Sequence, residues 1–198
     1  MFLKKFLFSF FSLTLLFFLN SVSSKLHGSG EKINPSWMVV DSSNKLVTFT
    51  LTSAYNGNNG SWNYNGFYNG YANLVVPEGW DVNLKFVNPD GNYRHSVAVI
   101  KMWDGDNVPQ EADASLVAIA RAYSLSPAQG CLSCKEDVKF KAKNRDDYTI
   151  GKYSAFCGVP GHGGSGMWLG FSVIDGIDAP FVMFNKSAMD EGYAKPLL

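Results

Sequence analysis

Hydrophobic and polar residues alternate along much of the chain. Between Lys45 and Ser53, Val47, Phe49 and Leu51 are interleaved with Thr48, Thr50 and Thr52. That two-residue period is the mark of a half-buried strand. Trp80 to Val87 repeats it with Trp80, Val82, Leu84 and Phe86. Val138, Phe140 and Ala142 alternate with lysines, which predicts a strand with one wet face. Shorter apolar runs predict further strands at Trp37 to Val40, Tyr71 to Val76 (closed by Pro77), Ser96 to Trp103, Tyr148 to Phe156 and Trp168 to Ile174. Asn88-Pro89-Asp90-Gly91 and Asp104-Gly105-Asp106 are turn sequences. The stretch Tyr55 to Tyr71, rich in Asn, Gly, Tyr and Trp, predicts a glycine-rich turn and then a strand around Trp62 to Phe67. Only the alanine-rich Glu111 to Tyr123 predicts a short helix. About eight strands at short spacing, with no internal repeat, predict an all-β sandwich or barrel of Greek-key type.

Composition narrows the function. The 198 residues carry 17 basic and 17 acidic side chains. A nucleic-acid binder normally needs a basic excess, so that class is disfavoured. The N-terminus is the one strongly apolar segment. Lys4 and Lys5 precede an uncharged run from Phe6 to Leu19, and small polar residues follow to Ser24. This is the order of a secretory signal, and the run is short for a spanning helix. Residues 1–24 are therefore expected to be a signal peptide or an N-terminal membrane anchor, residues 25–34 a linker, 35–184 the folded domain and 185–198 a tail. Removing residues 1–24 leaves 15 basic against 17 acidic residues. The expected location is outside the cytoplasm: periplasm, cell surface or extracellular space.

One segment concentrates the chemistry. Phe156-Cys157-Gly158-Val159-Pro160-Gly161-His162-Gly163-Gly164-Ser165-Gly166-Met167-Trp168 sets a thiol, an imidazole and a thioether at equal spacing between two predicted strands. Its glycines let the backbone fold tightly enough for the three to converge. Singly, each has a plain reading: a core thiol, a turn histidine, a core methionine. Together, C-x4-H-x4-M is a soft donor set that suits copper, whereas structural zinc favours four Cys or His ligands. His95, opening the strand Ser96 to Trp103, is the best fourth ligand among three histidines. The expected site is His95, Cys157 and His162 in a trigonal plane with Met167 as the long axial ligand, holding one copper ion. Ser96 is placed to hydrogen-bond the ligand loop. Phe156, Val159, Pro160 and Trp168 are expected to form an apolar shell. Val159, Pro160, Gly161, Gly163 and Gly164 are expected to form a flat docking patch around His162. A bulky charge at Gly163 is then expected to slow transfer without removing the metal.

The loop F-C-G-V-P-G-H-x-x-S-G-M-W resembles that of the sulfocyanins, blue copper proteins of the cupredoxin superfamily, and shares its ligand spacing with rusticyanins. Trp62-Asn63-Tyr64-Asn65-Gly66 and Val76-Pro77-Glu78-Gly79-Trp80 are similar to sulfocyanin patterns upstream. The resemblance covers roughly Trp62 to Ile174. It implies a cupredoxin sandwich, one type 1 copper on the four ligands named above, and one-electron transfer between redox protein partners such as a cytochrome or a terminal oxidase or reductase. It implies a carrier rather than an enzyme, expected to act as a monomer, and a family in which an N-terminal membrane anchor is common. The stretch Ala112 to Glu136 departs from the pattern, as does the glycine pair Gly163-Gly164, which predicts a looser loop.

Within that departure lie Cys131 and Cys134. In an exported protein C-x2-C reads as a local disulfide, with a redox-active dithiol or half of a second metal site as the alternatives. Asn59-Gly60-Ser61 and Asn185-Lys186-Ser187 match the glycosylation sequon. Three functions use the same residues: an electron carrier, a copper storage or delivery protein, and a metal-free structural sandwich.

Overall fold

The computed structural model describes residues 30–103, 106–111, 117–121, 127–143 and 152–184. The N-terminal apolar run, the sequon at Asn185 and the turn at 104–105 lie outside them. Among the described residues eleven strands form, in chain order: β1 Glu31–Ile33, β2 Met38–Asp41, β3 Leu46–Thr52, β4 Ala72–Pro77, β5 Asp81–Asn88, β6 Ala98–Lys101, β7 Val117–Arg121, β8 Cys134–Lys141, β9 Lys152–Phe156, β10 Trp168–Ile174 and β11 Phe181–Phe184. A seven-stranded sheet runs β1-β11-β4-β10-β9-β6-β7, and a four-stranded sheet runs β2-β3-β5-β8. From β3 to β6 each strand lies in the opposite sheet from the one before it. β3 thereby pairs in parallel with β5, and β4 with β10. This is the crossing connectivity expected of a Greek-key sandwich.

Alternation explains the core. Val47, Phe49 and Leu51 of β3 and Val82, Leu84 and Phe86 of β5 are fully buried. They meet Leu74 and Val76, Ala155, Leu169 and Phe171 from the larger sheet in one cluster. Side chains of this size stabilise by about 1.5–3 kcal/mol each when removed from water. The larger sheet is covered on its other face as well: Ala98, Ile100, Phe156 and Trp168 pack there with Met102 and Trp103. Two covered faces are why β4 and β10 read as continuous apolar runs rather than alternating ones.

Three expectations are corrected. Beyond the roughly eight strands expected, the described residues add β1, β7 and β11, short edge-side elements with little pattern of their own. Glu31–Ile33, inside the stretch read as linker, is β1 and pairs with β11. Part of the predicted helix, Val117–Arg121, is strand β7, paired antiparallel to β6; sheet pairing overrides alanine's helical preference. Trp62 to Phe67 is not a strand. A short 3-10 turn at Asn58–Ser61 leads into a loop held by two isolated bridges, Ser53 to Tyr64 and Tyr64 to Phe67. Asparagine side chains do the work of a neighbouring strand there. Asn65 Oδ1 accepts from the Thr52 amide (2.8 Å), and its Nδ2 donates to the Thr50 carbonyl (2.9 Å).

Candidate metal centre

The hairpin of β9 and β10 sets two sulfur-bearing residues opposite each other. The pair ends in register at Phe156 opposite Trp168. One step on, the Cys157 amide donates to the Met167 carbonyl at 3.0 Å. Cys157 and Met167 therefore face each other, both fully buried and both on the inner face. The nine residues between them fold back tightly. His162 N donates to Val159 O (3.1 Å), Ser165 N to Gly161 O (2.9 Å), and Met167 N to His162 O (3.0 Å). This winding swings His162 over the hairpin, with Nδ1 at 3.6 Å from Cys157 Sγ.

His95 arrives from the segment leading into β6. It exchanges backbone hydrogen bonds with Cys131 in both directions and is 1% exposed. One ligand atom each from His95, Cys157 and His162 lies within 4.8 Å of the others. The two imidazole rings are 5.0 Å apart between centroids. Ser96 takes the role expected of it. Its Oγ accepts from the Gly158 amide (2.9 Å) and lies 3.8 Å from Cys157 Sγ, while the Tyr64 hydroxyl donates to its carbonyl.

Trp62 is the residue that sequence reading misses as part of the site. Its indole lies over His162 at 4.0 Å between centroids and meets His95 edge-on at 5.7 Å, with Tyr93 against it at 6.0 Å. Its place at the head of the Trp62-Asn63-Tyr64-Asn65-Gly66 run was the available signal.

The expected apolar shell is half wrong. Phe156 and Trp168 pack on the outer face of the larger sheet with Ala98 and Ile100. Strand parity requires this: each neighbours an inward-facing sulfur residue, so each must point away. Val159 does pack against the core beside the site, and Pro160 is exposed. Gly163 is also misassigned. It is buried, and a methyl carbon on it would lie 1.8 Å from Phe156 Cζ. The loop carries glycine there because an aromatic ring occupies the space. A charge at that position would disrupt the loop rather than decorate a docking patch.

Burial controls the electrostatics. It lowers the His95 imidazole from 6.5 to about 4, partly opposed by Asp90. His162 falls to about 4 through burial and repulsion from His95. Burial raises the Cys157 thiol, against hydrogen bonding to Ser96 that lowers it. The metal-free site at neutral pH is thus two neutral imidazoles and a thiol, and a metal ion entering it must displace the thiol proton. An unfolded imidazole takes its proton near pH 6.5, the folded ones near 4. Between these values the unfolded chain binds more protons, so the metal-free fold loses stability as pH falls from 6.5 to 4. Urea midpoints of metal-free protein across that window are expected to fall with pH, and His95→Gln/His162→Gln to flatten the slope.

The residues fit a soft metal ion. His95 Nδ1 is buried without a hydrogen-bond partner. Leaving such an atom unpaired costs about 1–3 kcal/mol, which a metal bond or hydrogen bond would recover. Two imidazoles and a thiolate, with Met167 paired to Cys157 across the hairpin, match the donor types of a type 1 copper site. Among the described residues no other group of three His, Cys, Asp or Glu is gathered in this way.

Comparison with known proteins agrees in kind. Residues 35–184 match the family described as the sulfocyanin (SoxE) domain. The chain is 26% identical over 152 residues to the sulfocyanin of Sulfolobus acidocaldarius, covering 73% of this chain and 71% of that protein. Among solved structures it is similar to auracyanin A, a "blue" copper protein of the green thermophilic photosynthetic bacterium Chloroflexus aurantiacus. That match has 18% identity and a TM-score of 0.45, over 65% of this chain and 99% of the other. Reduced rusticyanin is similar at 18% identity and a TM-score of 0.41, over 66% and 77%.

Proposed function

The chain belongs to the sulfocyanin (SoxE) domain family, and on that premise we propose that it is a mononuclear type 1 copper protein that carries single electrons between redox partners outside the cytoplasm. His95, Cys157 and His162 would hold the ion, with Met167 as the fourth donor. The observation that carries this reading is the convergence of the three donor atoms within 4.8 Å, from two separate segments, with His95 and Cys157 buried. Copper supplies a couple between Cu(II) and Cu(I).

The protein's part is to keep its donors still. Cys157 and Met167 are fixed as the next step of a five-pair ladder. His95 is held by a two-way bridge, and His162 by a loop closed with its own amides. Ser96 ties the His95 segment to the start of that loop at Gly158. Met167, a weak thioether donor in a dry setting, would favour the reduced ion and raise the potential. His162 is the ligand nearest solvent, and a partner would approach over Trp62, Val159, Pro160 and Gly161, none of which is fully buried. Weak redox encounters use small faces of this kind. The protein acts as a carrier, with no catalytic residue of its own.

Export is supported by the pattern of residues 1–24 and by the disulfide between Cys131 and Cys134, which persists in oxidising compartments. Among the described residues no helix is long and apolar enough to cross a membrane. Residues 35–184 are the copper domain, and residues 1–24 a signal or an anchor.

The test is voltammetry and visible and paramagnetic resonance spectra of the copper-loaded protein. One copper per chain, an intense visible band and a reversible one-electron wave with fast exchange are expected. Bound copper that exchanges electrons slowly would assign the protein to storage or delivery instead.

A further inference from the structure

We infer that the Cys131–Cys134 disulfide is a positioning device for His95, so that its oxidation state sets the geometry and affinity of the metal centre; this rests on the copper reading above. Cys131 is the residue that exchanges backbone hydrogen bonds with His95, at 3.2 and 2.9 Å. Its disulfide partner, Cys134, opens β8 and sits opposite Asn88 of β5. β8 and β5 belong to the four-stranded sheet, while His95 leads into β6 of the seven-stranded sheet. The disulfide thus adds a second covalent link, beside the backbone through Leu132 and Ser133, between the bridge holding the ligand and the opposite layer of the sandwich.

The surrounding contacts point the same way. Asn88 Nδ2 donates to the carbonyls of Cys131 (2.7 Å) and Tyr93 (3.0 Å), so one buried amide clamps both sides of the bridge. The Ser133 amide donates to the Asp90 carbonyl at 2.9 Å. Gly130, with φ +56°, has no room for a side chain: a methyl carbon there would lie 2.9 Å from His95 O and 2.7 Å from Val159 Cγ2. The segment before the disulfide therefore lies close against the backbone of one proposed ligand and against the loop that carries the other three.

β8 does not need the disulfide to stay in place, because it pairs with β5 at eight successive positions. Loss of the link is then felt at the His95 bridge rather than across the fold. Both cysteines are partly exposed and flank the exposed Leu132 and Ser133, within reach of a reductant. A dithiol that transfers two electrons and two protons leaves two thiols on the chain and itself becomes a disulfide.

The experiment uses cobalt(II), which a phosphine does not reduce as it would copper(II). The full chain, its C131S/C134S variant, and wild-type chain reduced with a water-soluble phosphine and then desalted are titrated with cobalt(II). In both disulfide-free forms the thiolate-to-cobalt and ligand-field bands are expected to shift and cobalt affinity to fall about 10-fold or more, in line with other supports of metal ligands. The β-type circular dichroism is expected to be unchanged, and reoxidation of the phosphine-treated protein to restore the bands. Val138→Ala, which weakens β8 away from the disulfide, is expected to lower stability with no change in the bands. Wild-type bands and affinity in both disulfide-free forms would overturn the inference while leaving the copper reading intact. A wild-type chain that shows no thiolate-to-metal band with either ion would overturn both.

Discussion

Cys157→Ala is expected to abolish the intense visible absorption of the copper-loaded protein while costing the fold only about 1 kcal/mol, the scale of a small buried truncation. The two effects separate because the thiol has two unrelated roles. As a packed side chain it is one small member of a large core cluster. As a donor it has no substitute. Cys131 and Cys134 are joined to each other, and Cys157 is the one free cysteine. Its sulfur also lies within hydrogen-bonding range of both His162 Nδ1 and Ser96 Oγ, so it is the atom through which the ligand loop and the His95 segment meet. Without it, two imidazoles and a thioether remain, a set that can bind copper but has no thiolate to give the strong colour. Absorption and paramagnetic resonance at matched copper loading, with urea unfolding of the metal-free protein, measure the two roles independently. A persistent visible band would remove Cys157 from the ligand set.

Much of this was legible in the sequence because period-2 alternation and ligand spacing are local properties. The β3 and β5 patterns reach the structure unchanged, as does the convergence of Cys157 and His162, because both depend on residues close along the chain. What sequence reading loses is set by partners far away. Glu111 to Tyr123 looks helical by composition, yet Val117–Arg121 pairs as a strand because β6 offers a free edge. Trp62 to Phe67 looks like a strand, but positive φ at Asn65 within it and at Asn59, Ser61 and Asn69 around it breaks the ladder, and asparagine amides supply the missing partners. Trp62 reaches the site only because that loop curls over His162. The assignment of Phe156 and Trp168 to the metal's shell fails for a different reason. Parity alone could have excluded them once Cys157 and Met167 were placed inward.

Gly163→Ala is expected to destabilise the protein by about 1–3 kcal/mol, the scale of overpacking a dense core, and to perturb the metal centre with it. Phe156 lies under the loop as a fully buried ring, with three of its atoms between 1.8 and 2.4 Å from where the new methyl would sit. The ring has little room to retreat, since Trp103 packs against it at 5.7 Å and Ala98, Ile100 and Trp168 share its cluster. The loop must lift instead, and the neighbour that lifts with it is His162. The same reasoning predicts rescue: Phe156→Leu shortens the side chain beneath the loop, so its cost and that of Gly163→Ala should be less than additive in the double variant. Two residues in contact normally couple by about 0.5–3 kcal/mol, well above the error of a urea titration. The visible band of the copper-loaded variants reports whether His162 has moved, and the double variant should return it toward the wild-type position. Additive costs, or a Gly163→Ala protein with wild-type stability and colour, would mean that the Phe156 ring does not fill the space beneath the ligand loop.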